Sequence, residues 1–365
     1  MSCLLAKTLL NPQTIVDMTP THYNQLIPQA RSTNLLGSLF YVIEKADLLD
    51  QIPPDVHRHL ESAAITHAKQ RQDLDYEIQW LKKAYAETDD KLVLLKGAAY
   101  LQADLPNAAG RMLSDIDLLA PAHRIVQVEK ALNRHGWHSA EMDPYNERYY
   151  RQWMHEIPPL GHKARRSTLD LHHTILPPTA APNVNANLLH EETVEVRPGV
   201  FTLSARDMVI HSATHLFHEG EFRHGLRDLW DLDRMLRDFP TKDRDFWANL
   251  VPRARELDLT GALFHSLNYT QRVFETPVPE AVMTDISTLG TSLRKPMMDF
   301  LFDRAFLPDQ PECRKALHSA ALTALYIRSH YLRMPVYLLV PHLIRKSWMK
   351  HFSTPETDTE PKPAA

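Results

Sequence analysis

The stretch "GRMLSDIDLLA", residues 110–120, sets Asp115 and Asp117 one residue apart in an otherwise apolar run. In a strand, residues i and i+2 point to the same face, roughly 6.5–7 Å apart. Both carboxylates therefore project from one side. Two like charges in an apolar neighbourhood are costly unless something positive compensates them. A divalent cation does so best, and Mg²⁺ commonly takes one or two carboxylates together with phosphate oxygens. The competing reading is a solvated edge strand with two surface acids. Met112, Leu113, Leu118 and Leu119 argue against it, because they describe a buried neighbourhood.

Outward from this stretch, strands and helices alternate. "KLVLLKG" (91–97) reads as a short strand ending in Gly, and "AAYLQADL" (98–105) continues as a helix. Asn107 and Gly110 mark a loop, and 115–120 is a second strand. "PAHRIVQVEKALNRHG" (121–136) is a helix with Pro121 near its first position and Gly136 at its stop. "WHSAEM" (137–142) reads as a third strand, and "STLDLHHTI" (167–175) as another. The pattern is mixed α/β. Residues 21–89 show helical spacing throughout. Helices return at Ser204, where "SARD" (204–207) resembles a capping box, and helical pattern runs on to about 350. Four parts follow: an N-terminal helical region (1–89), a core (90–203), a C-terminal helical domain (204–352) and a Pro-rich, polar, disordered tail (353–365).

Bulk properties exclude several classes. The 365 residues are 44% apolar and 24% charged, ordinary for a soluble globular chain. A formal charge of −4 supplies no global basic field for non-specific nucleic-acid binding. Two cysteines, Cys3 and Cys313, make neither a disulfide framework nor a zinc knuckle, so a reducing, cytoplasmic setting is expected. No apolar run approaches the ~18–20 residues of a membrane span, and the N-terminus lacks the features of a signal peptide.

Three further features carry chemistry. Asp170 sits in "LDL" (169–171), apolar on both sides. If its strand lies beside 115–120, three acids meet and can hold two metals about 3.5–4 Å apart for in-line phosphoryl or nucleotidyl displacement. Otherwise Asp170 is partnered by Arg165 or Arg166. "LLKGAA" (94–99) joins a strand to a helix through Gly97, where phosphate can approach the backbone and Lys96 adds a mobile cation. Arg111 either clamps a phosphate oxygen or pairs with Asp115 and Asp117. In "LDLHH" the alternation is read as turning His172 away from Asp170 and placing His173 on the Asp170 face.

Other candidates have plainer readings. His211 and His215 sit at i, i+4 with His218 nearby, a spacing that can bind zinc, but the HExxH order is absent. A structural or substrate-contacting role against the core is expected. "GLRDLWDLDRMLRDF" (225–239) reads as a salt-bridged surface helix with an apolar stripe, unless Arg223 and Arg227 face a nucleotide. "MPVYLLVPHLIRKSWMKHF" (334–352) reads as a packed terminal helix, with a peripheral membrane or partner contact as the alternative.

The ordered set Lys96-Gly97-Ala98, Arg111 to Leu119, Asp170-Leu171-His172, then His211, His215 and "LRDLWDL" (226–232) resembles the bacterial family of uncharacterised nucleotidyltransferases, within the polymerase-β-like superfamily. The resemblance covers roughly residues 85–240. It implies an α+β (mixed α/β) fold with a polymerase-β-like core, a small mixed sheet and flanking helical regions. It implies Asp115, Asp117 and Asp170 as catalytic metal ligands for Mg²⁺ or Mn²⁺. It implies phosphate contacts at Lys96, Gly97, Ala98, Arg111 and Ser114, with ATP or another NTP as donor and a small molecule, protein or RNA as acceptor. One departure stands out. The superfamily usually has Gly-Ser or Gly-Gly where this chain has Gly97-Ala98, so no hydroxyl is offered there. A catalytically weak nucleotide-binding or toxin–antitoxin-like protein is the alternative that Ala98 favours.

Overall fold

The computed structural model describes residues 3–287, 295–335 and 337. Its centre is a seven-stranded mixed sheet. The strands are β1 (Leu92–Leu94), β2 (Ile116–Leu119), β3 (Trp137–Ser139), β4 (Leu160–His162), β5 (Thr168–His172), β6 (Val194–Arg197) and β7 (Val200–Thr202), in the order β3-β4-β5-β2-β1-β7-β6. The expected strands at 91–97, 115–120, 137–142 and 167–175 all appear, shortened. β4, β6 and β7 carry three or four residues each and leave almost no periodic signal.

β1 and β2 are buried at every position, as strands covered on both faces must be. β2 pairs antiparallel with β1 (Val93 opposite Leu119) and parallel with β5, where Asp117 lies opposite Asp170. Asp115 lies just before β2. β1 in turn pairs parallel with β7.

The loop between the Lys96–Gln102 helix and β2 is fixed from the N-terminal side. The 32-residue helix Pro54–Tyr85 crosses it. His67 Nε2 lies 3.0 Å from the Ala108 carbonyl oxygen. One turn on, Gln70 accepts from the Leu113 amide (2.9 Å) and donates to the Leu113 carbonyl (3.1 Å). Two glycines allow a backbone crossing between this loop and the Leu36–Lys45 helix. Gly110 has φ +73°, and a Cβ there would lie 2.0 Å from the Gly37 carbonyl carbon. Backbone on both sides leaves nothing to give way.

The C-terminal helices cover the sheet. Ser204 caps the Ala205–His218 helix by accepting from the Asp207 amide, as the "SARD" pattern implies. The Asp207 carboxylate takes two 2.8 Å bonds from Arg253 in the Phe246–Glu256 helix. Phe217, Tyr269, Phe302 and Phe306 pack together, with ring centroids 5.0–6.0 Å apart. One cluster of buried apolar residues reaches from Cys3 to Leu325. No helix among the described residues is long and apolar enough to cross a membrane. The 353–365 tail and most of the 334–352 segment lie outside the described residues.

Gly110→Ala is expected to destabilise the chain by more than about 2 kcal/mol, through left-handed strain plus overpacking. Urea unfolding reads this as a lowered midpoint. An unchanged midpoint contradicts the backbone crossing at Gly37.

Candidate active site

The β2–β5 register builds a row of acids. In-register residues of parallel neighbours share a face, one strand spacing of about 4.8 Å apart. Asp117 and Asp170 are such a pair, and Asp115, just before β2, lies close enough to couple with both charges. Asp117 is only 3% exposed. Its Oδ1 accepts from Lys96 Nζ at 2.6 Å and bonds His172 Nε2 at 2.9 Å. Lys96 opens the helix that leaves β1, and it takes a left-handed φ of +45°, uncommon for a residue with a Cβ.

The sheet draws in a pair that sequence reasoning missed. Glu156 bridges antiparallel to His172, and Ile157 N donates to the Leu171 carbonyl at 3.1 Å. Glu156 Oε2 then lies 3.5 Å from His172 Nε2 and 3.9 Å from His155 Nε2. The only sequence signal was the dipeptide His155-Glu156 ahead of Ile157 and two prolines, without any period.

Charge in this pocket is unbalanced. Burial raises the Asp170 carboxyl to about 7, and the Asp117 and Asp115 charges add to it. Burial and then Asp170 push Glu156 up to about 8. Asp115 is raised by burial and by Asp117. Asp117 goes the other way. Burial opposes its ionisation, but Lys96 and His172 outweigh that and hold it well below the usual carboxylate range. Burial lowers His172, and lowers His155 and His211 far more. His215 falls to about 4 through burial and then the Lys96 ammonium.

Comparison with known protein families matches residues 19–275, more than two thirds of the chain, to the family described as uncharacterised nucleotidyltransferases. The chain belongs to this family. No curated protein and no solved structure matches it. The matched span contains the whole acid row, Lys96, the His155–Glu156 pair and His172. Membership places the chain among the nucleotidyltransferases, whose family implies an NTP substrate.

The structure relocates several expected partners. His172 shares the face of Asp170, because residues i and i+2 of a strand always do. It is His173 that turns away, onto the Met154 carbonyl at 3.1 Å. Arg165 binds Glu77 at 2.8 Å rather than Asp170. Ser114 donates to Asp115 Oδ1 at 2.9 Å. A Cβ on Gly97 would lie 2.6 Å from Leu113 Cδ2, so this glycine lets the loop pack closely, and Ala98 is buried.

Arg111 does not pair with Asp115 or Asp117. It donates through Nε to Asp231 Oδ2 at 2.7 Å and through Nη1 to the Met112 carbonyl at 2.7 Å, with Asp228 3.8 Å away. The Gly225–Lys242 helix has the expected apolar stripe and i,i+4 pairs, Arg237–Asp233 and Lys242–Asp238, but two of its acids face inward. Asp231 and Asp233 are 2% and 0% exposed. Arg227 lies on its neighbour Asp228, and Arg223 is exposed.

Two outcomes test these charges. Removing one partner of a buried ion pair leaves the other uncompensated, so Asp231→Asn is expected to cost about 3–5 kcal/mol in urea unfolding. A loss below about 1 kcal/mol contradicts the buried pair. The second outcome is the pH dependence of the metal-free chain. Asp170 and Glu156 titrate near 7 and 8 when folded against ordinary values of 3.8 and 4.5. The folded chain thus holds more protons across that window, and stability falls as pH rises through it. Asp170→Asn should flatten the fall of melting temperature, whereas an unchanged slope contradicts the crowding.

Proposed function

We propose that the chain is a Mg²⁺-dependent nucleotidyltransferase, with Mn²⁺ as a substitute, acting at the β2–β5 face. The observation that supports it is the register pairing Asp117 with Asp170, with Asp115 just before β2 and coupled to both charges. Acids that raise one another's pKa in a buried site need positive charge, and three carboxylates are the donor set that a hard dication takes. Asp115, Asp117 and Asp170 would hold it. When bound, it supplies Lewis acidity and neutralises phosphate charge.

The chain's own residues divide the remaining work. Lys96, on Asp117 and partly open to solvent, keeps that carboxylate ionised and presents a cation toward the triphosphate. The backbone of Gly97 and Ala98, with Ser114, lies on the phosphate side. Arg111 acts on the loop through Asp231. An acceptor oxygen forms a bond to the α-phosphorus, the bond to the bridging oxygen breaks, and pyrophosphate leaves. Asp170, the third carboxylate, is either a ligand of the dication or the group that takes the acceptor hydroxyl's proton. The sheet unit, 90–203, is read as the catalytic part, and the helical regions on either side as shaping the acceptor site. Two free thiols fit a cytoplasmic setting. Ala98, which has no hydroxyl, favours the second reading, a nucleotide-binding protein without turnover.

A ligand that binds only the folded state raises the melting temperature. Saturating NTP with Mg²⁺ is expected to raise it by several degrees, and EDTA, Asp115→Asn and Asp170→Asn to abolish the rise while the variants stay folded. No rise with any NTP, or an equal rise in the variants, contradicts the site. A rise without pyrophosphate release in the presence of candidate acceptors selects the second reading.

A further inference from the structure

Beside the acid row lies a second donor set of different chemistry. His155, Glu156 and His172 each bring one ligand atom within 4.8 Å of the others. The Glu156 carboxylate lies against both rings, its Oε2 3.5 Å from His172 Nε2 and 3.9 Å from His155 Nε2.

Two further observations point to an ion. Nδ1 of His155 and Nδ1 of His172 are both buried without a hydrogen-bond partner, and His172 is 1% exposed. Orphaned buried ring nitrogens are rare and call for an explanation such as an ion. The other His172 nitrogen lies 2.9 Å from Asp117 Oδ1. Carboxylate–imidazole contacts of this kind orient metal-binding rings. The carboxylate row and the imidazole set therefore meet at Asp117.

We infer that His155, Glu156 and His172 form a binding site for a Zn²⁺-class dication, distinct from the Asp115–Asp117–Asp170 row. Imidazole nitrogens suit zinc and its neighbours, whereas Mg²⁺ prefers oxygen alone. Two imidazoles and one carboxylate leave a fourth position open, the pattern of catalytic rather than closed structural zinc sites. Asp170 and Asp115 are not needed, so the site stands whether or not the chain transfers nucleotides.

The probe is Co²⁺, added to untagged, EDTA-treated full-length protein and followed by calorimetry and visible absorption. One equivalent is expected to bind with the spectrum of imidazole-ligated Co²⁺, to be displaced by Zn²⁺ and to resist excess Mg²⁺. His155→Gln and Glu156→Gln should each weaken binding by at least about tenfold and change the spectrum, while Asp170→Asn keeps both. His155 and Glu156 are partly exposed, and circular dichroism checks that the variants fold. Absence of a Co²⁺ spectrum up to millimolar concentration, or a spectrum indifferent to both variants, overturns the site. The NTP melting experiment reads the acid row separately, so failure of one reading is distinguishable from failure of the other.

Discussion

Much of this structure depends on one buried oxygen. Asp117 Oδ1 takes both the Lys96 ammonium and the His172 ring while the Asp170 carboxylate stands across the register. The ammonium and the ring outweigh burial and hold Asp117 well below the usual carboxylate range, while burial and the Asp117 charge push Asp115 and Asp170 up. Such a divided set of pKa values is how a site assigns different tasks to similar groups.

That oxygen is held in place by packing far from it. The 108–113 loop delivers Asp115 and the start of β2. Helix Pro54–Tyr85 fixes it through His67 and Gln70, and the Gly37–Gly110 crossing fixes it against a second N-terminal helix. From the other side, Arg111 ties the same loop to Asp231 in the Gly225–Lys242 helix. The N-terminal and C-terminal helices therefore both bear on the carboxylate row. Buried ion pairs contribute little net stability but are costly to break, which suits a contact that fixes position.

The acid row was legible in the sequence, because two acids at i, i+2 in an apolar strand have few other uses. Short apolar runs next to turn signals located β1 and β2, and alternation located β5. The rest was hidden for physical reasons. β4, β6 and β7 are too short to show a period, and their pairing depends on distant strands. His155 and Glu156 reach the site through a single antiparallel bridge, which local pattern does not encode. The Gly225–Lys242 helix resembles a solvated one in composition, but Arg111 lies 120 residues away and draws Asp231 inward. Regular strand alternation puts His172 beside Asp170, two residues on, and turns His173 to the other face.

The most direct test of the account is anomalous diffraction from crystals grown with Mn²⁺ and an NTP analogue that cannot be cleaved between the α- and β-phosphates. The account predicts anomalous density within carboxylate-bonding distance of Asp115, Asp117 and Asp170, with phosphate oxygens completing the ion's shell. Bound analogue elsewhere on the chain, with Lys96 still the sole cation on Asp117 and no density at the row, would contradict it.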